Sequence, residues 1–195
     1  MFIELTDHLR CPAEHEERFL VLLPDRIEDR SVRAGRLGCP VCGRTFPVED
    51  GVLDLGGGPL AVETATGLVP DAAVALAGLG GPGGYLVLVG PPGDHWRGVS
   101  ELLPGVGLVA VNPGLETADE PGISVLRGHR IPLRSRSMRG VVLGAPYGGD
   151  PAWVAEAARV VLPGLRVVGE GADPAGEVIE LMATAGGVWV GTPRR

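Results

Sequence analysis

Cys39, Pro40, Val41 and Cys42, followed by Gly43, place two thiols at C-x2-C spacing. Thiolates so spaced grip one zinc ion, and the glycine lets the turn aim backbone N–H groups at sulfur. A dithiol redox pair shares the spacing but sits in a βαβ setting, and the residues around Cys39 carry no such pattern. Structural zinc takes four ligands, and Cys11 supplies a third from upstream. In Cys11-Pro12-Ala13-Glu14-His15, Glu14 stands where a second C-x2-C would have its cysteine, and His15 at C-x3-H is the first choice for the fourth ligand. His8, on the other side of Cys11, is the second choice. The expected centre is zinc on Cys11, His15, Cys39 and Cys42; its rival is a knuckle held by packing without metal.

Other chemistry is sparse. No G-x-S-x-G elbow and no H-E-x-x-H pair occurs, and Asp94 and His95, adjacent in a loop, read as solvated turn residues rather than as an acid and base facing one another. No catalytic residue is assigned. All 17 basic residues are arginine, which excludes a Schiff-base lysine and a P-loop lysine. The net charge of −7 argues against bulk attraction to nucleic acid. The local exception is Arg127, His129, Arg130, Arg134, Arg136 and Arg139, with no acid among them. That cluster reads as a solvated loop, or as an anion site for RNA or an acidic protein partner.

These residues need elements to hold them. The chain has 195 residues with 32 Gly and 18 Pro, yet 45% of it is hydrophobic, so it reads as a folded, turn-rich protein. Residues 1–55 hold every cysteine and short alternating segments such as Phe19 to Leu23, which predicts a small β module. Residues 56–84 form a Gly-rich linker, Gly56 to Pro59, and a partly helical stretch, Leu60 to Leu79. Residues 85–195 alternate apolar strands (Tyr85 to Val89, Gly107 to Val111, Ile123 to Leu126, Gly140 to Leu143, Leu165 to Val168, Val188 to Val190) with helices (His95 to Leu103, Ala152 to Leu162, Ala175 to Ala185). Such alternation predicts an α/β layered fold with a mostly parallel sheet. The uncharged run Ala72 to Gly93 is broken by Gly80 to Gly84, so no membrane span is expected; few cysteines, two of them spaced for metal, suggest a reducing, cytoplasmic setting.

Two resemblances follow from these residues. Cys39 to Leu55, with its knuckle, the Phe46-Pro47-Val48 strand and the Asp50-Gly51 turn, resembles the second half of the short zinc-ribbon family whose eukaryotic members activate methyltransferases. From Leu76 to Arg195 the order of signals resembles class I S-adenosylmethionine-dependent methyltransferases. Leu86 to Gly93 matches the first strand and loop, Leu108 to Asn112 the second, Arg127 to Pro132 the third, and Ala158 to Gly164 the Arg-Val-Leu-x-Pro-Gly-Gly turn. That resemblance implies a cofactor site at Gly90, Pro91, Gly93, Asp94, Asn112, His129, Arg130 and Ala145. The site departs from the family: prolines replace loop glycines, Asn112 stands for the ribose acid and His129 for the adenine Asp, and the terminal antiparallel strand pair reads as one strand. A hydrogen bond to a charged group is worth about 1.5–3 kcal/mol, so these losses imply at least a hundredfold weaker S-adenosylmethionine binding. Gly144-Ala145-Pro146-Tyr147 weakly resembles the Pro-Pro-Tyr segment of amino-methyltransferases but reads as a turn with a packed tyrosine.

The expectation is a reduced Rossmann-like methyltransferase sheet preceded by a β zinc-ribbon module, non-catalytic and acting in binding or assembly. The alternatives are an active methyltransferase acting on RNA or a small molecule, and a zinc-ribbon adaptor for a separate methyltransferase.

Overall fold

The computed structural model describes residues 1–58, 66–114, 116–174, 176 and 178–194. Four strands come first: β1 (Val21–Glu28), β2 (Ser31–Gly38), β3 (Thr45–Glu49) and β4 (Val52–Asp54), each antiparallel to the next. Two tight turns close hairpins here. Asp29 and Arg30 both have positive φ, as do Asp50 and Gly51, the signature of a turn whose twist matches its strands.

The α/β half follows as α1 (Pro70–Ala77), β5 (Tyr85–Val89), α2 (Trp96–Leu102), β6 (Gly107–Val111), β7 (Ile123–Arg127), β8 (Gly140–Leu143), α3 (Pro151–Val160), β9 (Val167–Glu170), β10 (Ile179–Ala185) and β11 (Val188–Pro193). Strands β5 to β9 are mutually parallel, and β9, β11 and β10 pair antiparallel. Of the linker and helix expected over 56–79, residues 59–65 lie outside the description. The Gly-rich break is organised by one side chain: the Arg139 guanidinium donates to the carbonyls of Gly80, Gly81, Pro82 and Gly83.

All eleven strands form one mixed sheet in the order β1-β2-β3-β4-β7-β6-β5-β8-β9-β11-β10. The joint is β4, which lies parallel to β7 with Leu53 opposite Leu126 and Asp54 opposite Arg127.

The strand period of two sorts the apolar side chains onto two faces. Leu86, Leu88, Leu108, Ala110 and Val142 point to the face covered by α1 and α2, where Ala73, Ala77, Trp96 and Val99 meet them. Val87, Val89, Val109, Val111 and Leu126 point to the other face. There α3 contributes Trp153, Val154 and Ala157, and the N-terminal segment contributes Met1, Leu5, Leu9, Leu37 and Leu53, all in one cluster. Asp119, in the connection before β7, adds a polar tie: it pairs with the Met1 amine at 2.6 Å and with Arg33 at 3.0 Å.

Two expectations are corrected. Ala175 to Ala185 is not a helix: residues 179–185 are strand β10, while residues 175 and 177 lie outside the description. The terminal pair is therefore complete, with Gly186 and Gly187 at positive φ turning β10 into β11. Among the described residues no helix is long and apolar enough to cross a membrane.

Candidate functional site

The C-x2-C knuckle lies between β2 and β3. Cys39 N–H donates to the Arg44 carbonyl at 2.9 Å, Gly43 N–H donates to the Cys39 carbonyl at 3.0 Å, and Gly43 takes φ +70 to close the turn. Cys11 and His15 arrive from the segment before β1. It is held by bridges from Leu9 to Leu133 and from Arg10 to Phe19, and by the Arg10 guanidinium lying 3.5 Å from the Phe19 ring centroid.

The structure brings Cys11, His15, Cys39 and Cys42 together, with their ligand atoms all within 4.8 Å of one another. Cys11 Sγ and Cys42 Sγ are 3.7 Å apart, and Cys39 Sγ is 3.4 Å from His15 Nε2. A tetrahedron with Zn–S near 2.3 Å and Zn–N near 2.05 Å has edges of about 3.8 Å and about 3.6 Å, so the donor set fits zinc. The second ring nitrogen supports the fit: His15 Nδ1–H donates to the Glu16 carbonyl at 2.7 Å, which leaves Nε2 as the lone-pair nitrogen facing the sulfurs. Electrostatics act in the same direction at Cys39. Burial opposes its ionisation, but hydrogen bonds from the Cys42 and Val41 amide groups and from the Cys42 and Cys11 thiols together outweigh burial and bring its pKa down to about 6. Burial pushes Cys11 up to about 11. Zinc, when bound, would supply structural cross-linking of the segment before β1 to the knuckle.

The rival ligands lie elsewhere. Glu14 is exposed and outside the cluster. His8 packs edge-on against Tyr85, with ring centroids 5.4 Å apart, and burial lowers its pKa.

The second candidate region is the crevice at the carboxyl ends of β5 and β8. The chain runs from β5 outward through β6 and β7, then returns to β8 on the other side of β5. Ligands of open α/β sheets sit at such a reversal. Here the loops after β5 and β8 pack closely on one another. Gly90, at φ +71, has the Tyr147 ring so near that a Cβ would lie 2.6 Å from it; a Cβ on Gly144 would lie 2.4 Å from Pro92, and one on Gly93 2.9 Å from Pro113. Tyr147 is fully buried against Trp153, edge to face at 4.7 Å.

Each expected cofactor residue has a definite place. Gly90, Pro91 and Gly93 lie in or beside the 3-10 turn Pro91–His95 that follows β5. Asp94 accepts from Gly114 N–H at 2.8 Å and from the Thr117 hydroxyl, so it fastens the loop after β6. Asn112 is buried; its Nδ2 donates to the Gly128 carbonyl at 2.7 Å and its Oδ1 accepts from Gly128 N–H at 2.9 Å. That carboxamide therefore ties the end of β6 to the end of β7. Ala145 N–H donates to Glu170 at 3.2 Å, and the same carboxylate accepts from Thr66 and Gly67. His129 and Arg130 lie outside the crevice, on a groove beside the zinc-type cluster.

The arginine cluster is divided. Arg127 donates to the Pro113 and Gly114 carbonyls and Arg139 to the glycine loop, which leaves Arg134 and Arg136 exposed on the surface. Glu170 is a residue that sequence reasoning missed; its position at the end of β9 was the available signal.

No family model matches the chain, and no curated protein matches it. Among solved structures, a chain of the complex between the Haloferax volcanii Trm112 methyltransferase activator and a candidate methyltransferase is similar at 20% identity and a TM-score of 0.42, over 51% of this chain and 49% of that one. A candidate hemolysin from Streptococcus thermophilus is similar at 14% identity and a TM-score of 0.39, over 66% of this chain and 53% of that one. The chain thus matches about half the length of each.

Proposed function

We propose that this chain is a methyltransferase-related zinc protein whose α/β half no longer takes S-adenosylmethionine and whose ribbon-like N-terminal half stands as a permanently docked partner within the same chain. Its work is binding or assembly rather than methyl transfer. The observation that carries the reading is the filled crevice. Pro92 and Tyr147 occupy the space beside the β5 and β8 loops, and Asn112, at the position of the family's ribose acid, spends both ends of its carboxamide on Gly128. The antiparallel pair β10–β11 and the parallel strand order β7-β6-β5-β8-β9 support the methyltransferase-like reading of the fold.

The strand joint favours this reading over a free adaptor for a separate methyltransferase. The edge of β7 is already paired by β4, and the apolar residues of the N-terminal half are buried on the sheet of the α/β half. We assign the two halves to residues 1–55 and 85–195, joined by 56–84, and place zinc on Cys11, His15, Cys39 and Cys42.

A thermal-shift measurement with S-adenosylmethionine tests the proposal. A ligand present at about a hundred times its dissociation constant stabilises the native state by about 2.7 kcal/mol. The expected result at about 1 mM ligand is no change in unfolding temperature. A rise of several degrees would restore the active-methyltransferase reading.

A further inference from the structure

The groove between the two halves differs in chemistry from the crevice. It encloses about 620 Å³, and its wall carries Arg44 from the knuckle and His129 and Arg130 from the segment after β7, with His15 and Cys42 of the Cys/His cluster at its side. Phe46 and Leu55, nearly buried, form an apolar floor. Glu14 is the one carboxylate on the wall.

The cations share their lack of partners with exposed Arg36, Arg134 and Arg136; what sets them apart is that they line one concavity. Arg33 and Arg159 pair with carboxylates, and Arg127, Arg139 and Arg166 are spent on backbone carbonyls. Among the described residues, the side chains of Arg44, His129 and Arg130 have no ion-pair or hydrogen-bond partner. In a chain of net charge −7, two unanswered guanidinium groups and an imidazole around one concavity make a local site for an anion. Guanidinium forks match the paired oxygens of phosphate. The volume is that of a small-molecule site, and apolar floors with few polar groups are the usual composition of such sites. No exposed aromatic lines it as a stacking platform for single-stranded nucleic acid.

We propose that this groove binds a small phosphorylated molecule, its phosphate held by Arg44 and Arg130 with His129 beside them and its apolar part resting on Phe46 and Leu55. Arg44 and Arg130 come from different halves, so the ligand bridges the joint made by β4 and β7. The inference is independent of the state of the crevice, because Arg44 belongs to the knuckle and not to the β5 and β8 loops.

The test is calorimetric titration of the full zinc-loaded chain with adenosine monophosphate, with inorganic phosphate, and with adenosine as the uncharged control. The expected result is saturable binding of the monophosphate, at least tenfold weaker binding of adenosine, and at least tenfold loss in each of Arg44→Ala and Arg130→Ala with zinc content unchanged. Arg36→Ala, exposed and off the groove, should bind as the parent does. Absence of binding at millimolar monophosphate and phosphate would overturn the proposal. So would binding insensitive to Arg44→Ala, which would place the nucleotide in the crevice. Tight binding of a ribo-oligonucleotide that depends on Arg134 and Arg136 and not on Arg44 would overturn it as well.

Discussion

Asn112 shows how much one side chain settles. It sits at positive φ, nearly unexposed, with donor and acceptor both matched to Gly128. Asn112→Ala leaves the Gly128 N–H and C=O without partners, and each unsatisfied buried group costs about 1–3 kcal/mol. Equilibrium urea unfolding should register a loss of about 2–4 kcal/mol. Asn112→Asp presents a carboxylate to the Gly128 carbonyl, so it should lose stability and gain no S-adenosylmethionine binding; a gain in binding would show that the side chain can swing into the crevice. At the knuckle, His15→Ala removes one of four donors whose mutual spacing already matches zinc. Metal analysis of the purified variant should find clearly less than the parent's zinc, while His8→Ala should retain it, since His8 lies on Tyr85 away from the cluster.

Among the elements, what was legible followed from local chemistry. Strands β5, β6 and β8 fall where the apolar runs stand between glycines and prolines, and the Asp50-Gly51 turn falls where its residue types require positive φ. The knuckle and Cys11 were readable from spacing, which left the fourth donor between His15 and His8. Strand β10 was not: Glu180, Leu181, Met182 and Ala183 are good helix formers, and tertiary pairing with β11 overrides that preference. The Gly186-Gly187 pair was the signal for the hairpin. Nor could spacing reveal that β4 pairs with β7, or that the loops after β5 and β8 pack on one another, because both depend on contacts between residues distant in the chain. Those loops give a test of their own. Gly144→Ala would place a Cβ 2.4 Å from the Pro92 ring, and overpacking against a rigid ring costs about 1–3 kcal/mol. Its urea midpoint should fall, whereas Gly164→Ala, which meets no neighbour, should lose only the smaller amount due to its positive φ.

The segment before β1 is also fastened electrostatically. Glu17 accepts from the Ser135 amide and hydroxyl and pairs with Arg159 at 3.2 Å and Arg10 at 3.5 Å. Burial raises its pKa, but those donors and cations outweigh burial and hold it below the usual glutamate value. A carboxylate lowered on folding contributes stability that is complete above its unfolded pKa of about 4.3 and is lost as pH falls through the folded value. Glu17→Gln should therefore flatten the acid limb of the stability profile below about pH 4 and differ from the parent most at neutral pH.

At the scale of the whole molecule, the sheet makes one unit of two sequence regions. Met1, Leu5, Leu9 and Leu53 share a core with Val109, Val111 and Leu126, so neither half can leave without exposing the other. Structural zinc contributes about 10–16 kcal/mol to folding in isolated finger peptides. Chelation should therefore lower a single cooperative transition followed by tryptophan fluorescence, whose reporters Trp96, Trp153 and Trp189 all lie in the α/β half. Two separate transitions, with the tryptophans unmoved by chelator, would mean the halves fold apart. The proposed reading turns on a crevice that takes no S-adenosylmethionine. Isothermal titration of the zinc-loaded chain with S-adenosylmethionine addresses it most directly: the account predicts no heat of binding up to millimolar ligand, and saturable binding at micromolar ligand would contradict it.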